Sequence, residues 1–177
     1  MARNSSLSQS WPPASRGYFA IGAERISKAL NVGNLMRSAH GFGASFTFTI
    51  GARYGGLEAH ADTSKSRNHV PHYDWDDLDA LRLPEGCSLI GVELTEEAVD
   101  LPSFRHPLKA AYVLGPEKGS LSPELLDQCQ YVVRIPTLFC VNVAMAGAIL
   151  MYDRTISLSR FPNRPVRPGG PVVTQKG

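Results

Sequence analysis

Five short apolar runs constrain this 177-residue chain more than any other feature: Tyr18-Phe-Ala-Ile-Gly22, Ser45-Phe-Thr-Phe-Thr-Ile50, Cys87-Ser-Leu-Ile-Gly-Val92, Ala110-Ala-Tyr-Val-Leu114 and Tyr131-Val-Val-Arg-Ile135. They are rich in β-branched and aromatic residues, and most lack the apolar–polar alternation of a strand with one wet face. Near-continuous apolar strands are covered on both sides, which is the condition of a mostly parallel sheet with helices on both faces. An α/β fold is therefore expected, with ligand crevices at the carboxyl ends of the strands.

Helical signals fill the gaps. Residues 32–42 read as a helix with Asn31 as N-cap, because an Asn side-chain oxygen accepts an orphan N–H of the first turn. Leu35, Met36 and Ala39 form its apolar face, Asn34, Arg37 and His40 share another, and Gly41 and Gly43 end it. Asp74 to Arg82 reads as a short helix with acids at its start. The strand at 87–92 is expected to run on through Glu93 and Leu94, and residues 95–109, with Pro102 and Pro107, to be irregular. Ser122 caps a helix with Pro123 at its first position. A long, mostly apolar helix runs from Asn142 to about Ser159. Its small residues Ala144, Ala146, Gly147 and Ala148 suit close packing on the sheet or on another subunit.

Charge divides the chain. Residues 18–159 hold 12 Lys/Arg and 16 Asp/Glu, a net of −4. Residues 1–17 carry Arg3 and Arg16 without an acid; residues 160–177 carry Arg160, Arg164, Arg167 and Lys176 without an acid. One domain over 18–159, flanked by a mobile N-terminal tail and a basic Pro/Gly-rich C-terminal tail, is the expected organisation. Basic tails suit a polyanion such as RNA, and equally serve solubility. No apolar run is long enough for a membrane span. Met1 to Pro13 has no apolar core of a secretory signal. Three cysteines, Cys87, Cys129 and Cys140, in no paired spacing suit reduced thiols in the cytoplasm. The histidines His40, His60, His69, His72 and His106 make no tight metal-ligand set, so no metal is expected.

Three stretches could carry chemistry. Asn31-Val-Gly-Asn-Leu-Met-Arg37 places a fixed cation after a strand. Gly115-Pro-Glu-Lys-Gly119 joins a strand to a helix and offers Glu117, but it is not a Walker-type phosphate loop. Ile135-Pro-Thr-Leu-Phe-Cys-Val-Asn142 is a proline-bent loop opening a helix. Residues 51–67 form a loop with Arg53, Lys65 and Arg67 beside Tyr54, either a phosphate-contacting segment or an ordinary surface loop.

Taken in order, NVGNLMRSAHGFGA, LGPEKGSLSPELL and RIPTLFCVNVAMAGAILMYDR resemble the three motifs of the TrmH (SpoU) branch of the SPOUT RNA methyltransferases, and the likeness spans roughly residues 18–159. The resemblance implies a C-terminal deep trefoil knot, a homodimer, and S-adenosyl-L-methionine bound in the knot loops. It also implies methyl transfer to a ribose 2′-hydroxyl of tRNA or rRNA. Asn31 and Arg37 take its catalytic positions. Leu94, Gly115, Glu117, Ile135, Leu138, Cys140 and Asn142 take its cofactor positions. Asn34, Arg37, His40, Arg53, Lys65 and Arg67 are the candidate RNA contacts. A guanidinium does not serve as a base, so Arg37 is expected to stabilise the developing alkoxide and grip the adjacent phosphate.

The chain departs from the family at Cys140-Val141-Asn142, where Ser-Leu-Asn is usual, in a shorter loop after Ile135, and at Gly119, one position early. A thiol is a weaker hydrogen-bond partner than a hydroxyl. The alternative reading is therefore an RNA-binding SPOUT protein without turnover.

Overall fold

The computed structural model describes residues 17–53, 69–159, 161 and 168–169. Its strands are β1 (Tyr18–Glu24), β2 (Phe46–Ile50), β3 (His72–Trp75), β4 (Ser88–Val92), β5 (Val99–Asp100), β6 (Lys109–Leu114) and β7 (Tyr131–Arg134). Its α-helices are α1 (Ala29–Phe42), α2 (Pro123–Gln128) and α3 (Val143–Leu158), with a 3-10 turn at Leu101–Ser103. The strands form one seven-stranded sheet in the order β3-β2-β1-β6-β4-β7-β5, every neighbouring pair parallel.

Both faces of the sheet are covered, as the apolar runs require. Phe19, Ile21 and Ala23 of β1 join Ala110, Tyr112 and Leu114 of β6 in a core beneath α1 and α3. The alternating residues Ala20, Ala111 and Val113 face a second core with Leu121 and Leu125 at α2. The small residues of α3 are used inside the chain: a Cβ at Gly147 would sit 2.4 Å from Leu35 of α1. At Gly22 a Cβ would sit 2.4 Å from both the Phe48 carbonyl oxygen and its ring. Gly22→Ala is expected to cost about 1–3 kcal/mol through overpacking, read as a lower urea midpoint at unchanged slope.

Sequence and structure part at four places. The segment at 74–82 is not a helix. His72 to Trp75 instead extends the sheet, Tyr73 and Trp75 stack 6.0 Å apart, and Phe46 and Phe48 pack against them. The period-2 aromatics outweigh the acids. Asp77 caps one turn, accepting from the Ala80 N–H at 2.9 Å. The strand at 87–92 stops at Val92, because the Glu93 carboxylate turns in to accept from Leu94 and Leu121 N–H groups at 2.9 and 2.8 Å. The stretch at 95–109 contains the short β5, tied down by Arg134 Nε donating to Asp100 at 2.6 Å. Helix α1 begins at Ala29, so Asn31 lies inside it and is not its cap. The ends called at Gly43, Ser122 and Asn142 are as expected: Gly43 is left-handed at φ 75°, and the Ser122 and Asn142 side chains accept first-turn N–H groups.

At the amino ends of β1 and β6, Arg154 of α3 is 2 % exposed. Its guanidinium donates to the carbonyls of Pro107 (2.7 Å), Leu108 (3.0 Å) and Tyr18 (3.3 Å) and to the Tyr112 hydroxyl (3.0 Å). Tyr112 contacts His106 Nδ1 at 2.6 Å, and His106 Nε2 contacts Asp153 at 2.9 Å. A self-consistent chain runs Arg154 to Tyr112 to His106 to Asp153, with the His106 proton on Nε2. Burial pushes the Tyr112 phenol up to about 12. Burial also lowers His106, although the Asp153 bond opposes this. A neutral folded histidine stabilises the fold above its ordinary pKa, and that contribution is lost as pH falls from about 6.5.

Candidate functional site: a pocket at the strand ends

The loops after β4, β6 and β7 converge with the start of α1 on a cavity of about 330 Å³. Pockets for small ligands run from roughly 300 to 1,000 Å³. Val92, Leu114, Ile135, Val143 and Ala146 make apolar wall; Lys28, Glu93, Glu117 and Asn142 are the polar part. The pocket lies at the carboxyl ends of parallel strands, where the order β1-β6-β4-β7 departs from the order of the sequence.

Glu117 is the centre of its polar side. One oxygen accepts from Ser27 N (3.0 Å) and Ser27 Oγ (2.9 Å), the other from Lys28 N (2.9 Å) and Asn31 Nδ2 (2.9 Å). Lys28, at the N-cap, offers no side-chain bond, so the cap of α1 comes from Glu117, some 90 residues away. Asn31 Oδ1 then accepts from Asn142 Nδ2 at 3.0 Å, and Asn142 Oδ1 caps α3. Burial alone would raise the Glu117 carboxyl, but the bonds from Ser27 and Asn31 outweigh it and hold it at about 2. A depressed folded pKa stabilises the fold above the ordinary 4.5, and this is lost as pH falls toward 2. Glu117→Gln should weaken folding by about 1–3 kcal/mol at pH 6 and show a shallower loss of stability in acid than the parent chain. Chemical unfolding at pH 6 and pH 3 measures both.

Among the cofactor candidates, Leu94, Gly115, Glu117, Ile135, Cys140 and Asn142 all line the pocket, and so does Asn31. Leu138 does not: it stands fully exposed on the loop after β7. Arg37 is exposed on α1 and is absent from the lining. Six residues of helix carry it about 9 Å along the axis and about 120° round from Asn31, so the two leave the helix in different directions. Asn34 and His40 lie exposed with Arg37, as their spacing predicts. Arg53 borders a neighbouring cavity; Lys65 and Arg67 lie outside the described residues. Sequence reasoning missed Lys28 and Glu93. For Glu93 the available signal was a polar residue directly after an apolar strand; Lys28, in the turn before α1, gave none.

Fold and site define an α/β protein with a pocket of small-ligand size in the loops at its strand ends. The SpoU rRNA Methylase family model matches residues 18–152, and the chain belongs to that family. It is 29% identical over 147 residues to mouse tRNA (guanosine(18)-2′-O)-methyltransferase TARBP1, covering 75% of this chain but only 9% of that protein. The structure of the SpoU methyltransferase AviRb from Streptomyces viridochromogenes in complex with AdoMet superposes with a TM-score of 0.67 at 19% identity, over 81% of this chain and 59% of AviRb. A structure described as giving insight into 2-OH methylation of C/U34 on tRNA superposes at 0.71 and 20% identity, over 82% of this chain and 93% of the other.

Proposed function

We propose that the chain is an S-adenosyl-L-methionine-dependent methyltransferase acting on a ribose 2′-hydroxyl of tRNA or rRNA. One observation carries the reading. Asn31, Glu117 and Asn142, one from each motif and 86 and 111 residues apart for the two bonded pairs, are joined by hydrogen bonds at one ligand-sized pocket. AviRb, of the same family, holds AdoMet. The residues here suit that molecule, with apolar walls for a flat base and loop backbone and the Glu93 carboxylate for its polar groups. The sulfonium cofactor supplies an activated methyl group. The chain's own residues then position the ribose, exclude water and stabilise charge on its oxygen, the last being the role of Arg37, with Asn31 fixing the shape of the pocket.

On this reading Arg37 serves the pocket of a second copy across a subunit interface, and a homodimer is part of the proposal. Met145, Ile149 and Tyr152 follow one another at helical spacing on α3 and are 57%, 36% and 53% exposed. Leu30, Leu138 and Phe139 are exposed too. Exposed apolar side chains repeated along one helix suit an association surface, and a second copy across it would bring its own Arg37. A trefoil knot belongs to the same reading. Support comes from the interleaved strand order, with β6 between β1 and β4 and β7 between β4 and β5, and from the meeting of the loops after β4, β6 and β7. The domain is taken as 18–159 with the basic ends joining RNA, and the free cysteines suit the cytoplasm.

Calorimetry with S-adenosyl-L-methionine, followed by transfer of labelled methyl to total tRNA and rRNA, tests the reading. Cofactor binding and a 2′-O-methyl product are expected. Failure of the cofactor to bind would sink it. Cys140 in the lining favours a second reading, an RNA-binding relative without turnover. Cofactor and RNA binding with no product on either RNA class would select it.

A further inference from the structure

A second cavity, of about 360 Å³, adjoins the first through Lys28, Pro116, Glu117 and Gly119. Arg25, Lys28, Arg53 and Lys118 all line it. The only carboxylate in the lining is Glu117, and its oxygens already accept from Ser27, Lys28 N–H and Asn31. Arg25 is paired with the buried Glu24 carboxylate at 3.4 Å, whereas Lys28, Arg53 and Lys118 form no ion pair among the described residues; the hollow thus gathers three unpaired cations in a stretch, 18–159, whose net charge is −4.

Arg25 is held by the fold. Arg25 has φ 51°, making it the one non-glycine residue in the left-handed region among the described residues. That conformation costs an L-residue roughly 1–2 kcal/mol, and such strain gathers at functional sites. Its N–H donates to Ile50 O at 2.7 Å and its Nη2 to Ser120 O at 2.7 Å, while its buried Nε has no hydrogen-bond partner. Arg53 is anchored to the same turn, its N–H donating to Ile26 O at 2.9 Å. Two loops that follow different strands thus present guanidinium groups to one hollow, and Lys118 approaches it from a third.

We propose that this hollow seats a backbone phosphodiester of the RNA substrate, next to the nucleotide whose ribose enters the neighbouring pocket. The inference rests on the methyltransferase reading and deepens it. It gives the substrate a fixed point beside the methyl donor that depends on charge and not on base identity.

The test is the salt dependence of tRNA binding by the full chain, using Arg53→Gln, Lys118→Gln and the double variant. These two cations line the second cavity only. Each cation lost should make the slope of log K against log salt shallower by about 0.7–0.9. Binding should weaken alike for unrelated RNA sequences, and Lys118→Arg should keep the parent slope. Calorimetry with S-adenosyl-L-methionine should give the parent affinity for every variant, which shows that fold and first pocket are intact. An unchanged slope in the double variant overturns the proposal. So does loss of inorganic phosphate binding at constant ionic strength with an unchanged RNA slope, which assigns the hollow to a free anion. If the slopes fall as stated but the parent chain takes no cofactor, the methyltransferase reading fails and the phosphate site stands.

Discussion

Arg37→Ala is expected to lower methyl transfer about 10²-fold or more, the scale for removing a fixed electrostatic stabiliser, with cofactor affinity close to that of the parent. Arg37 is exposed and outside the pocket lining, so its removal leaves the cavity and its Asn31–Glu117–Asn142 bonds in place. Arg37→Lys should recover little, because an ammonium lacks the planar fork that grips a phosphate. Geometry on the helix adds a sharper test. If Arg37 serves the pocket of the other subunit, Arg37→Ala mixed with a variant unable to bind cofactor should regain activity. Thr137→Trp, at the exposed rim of the pocket, is a suitable second partner once calorimetry shows that it takes no cofactor. Random exchange leaves about a quarter of all sites with both intact parts. No recovery on mixing, after exchange of subunits has been demonstrated, places Arg37 in its own chain and removes the crossed arrangement.

Arg154→Ala should cost about 3–5 kcal/mol of folding stability, the scale for breaking a buried charged network. That is a large part of the roughly 5–15 kcal/mol that holds a domain together. The substitution removes the guanidinium donor from the carbonyls of Pro107, Leu108 and Tyr18, of which Leu108 keeps the Tyr18 N–H at 3.0 Å. It also removes the cation packed 5.3 Å from the Phe19 ring centroid and 5.8 Å from that of Tyr112. Lysine cannot fork to four acceptors, so Arg154→Lys should recover less than half of the loss. Urea unfolding measures both variants; a loss below about 1 kcal/mol for alanine would show that the network is dispensable.

Local chemistry was legible in the sequence. Ser122 and Asn142 cap helices because an oxygen and its target N–H groups are two or three residues apart, and the apolar runs became strands because both of their faces are covered. The long-range contacts were not legible. Asn31 reads as a cap because nothing nearby shows that Glu117 will take that role and leave Asn31 to bond Asn142. Asp74 to Arg82 reads as a helix because its acids are local signals, whereas Phe46 and Phe48, the partners that draw Tyr73 and Trp75 into the sheet, sit on another strand. The motif resemblance located six of seven cofactor candidates in the lining, yet it could not show that Asn31 and Arg37 leave their helix in different directions. That follows from where α1 begins and from what α3 covers.

The carboxylate shared between the loop after β6 and the first turn of α1 also orders events during synthesis. A nascent chain that has not yet reached residue 117 lacks the acceptor that the folded chain gives the Ser27 and Lys28 N–H groups, and until then water serves them. One carboxylate therefore completes both the start of the helix that carries Arg37 and the polar side of the pocket, and neither takes its final form before residue 117 is made.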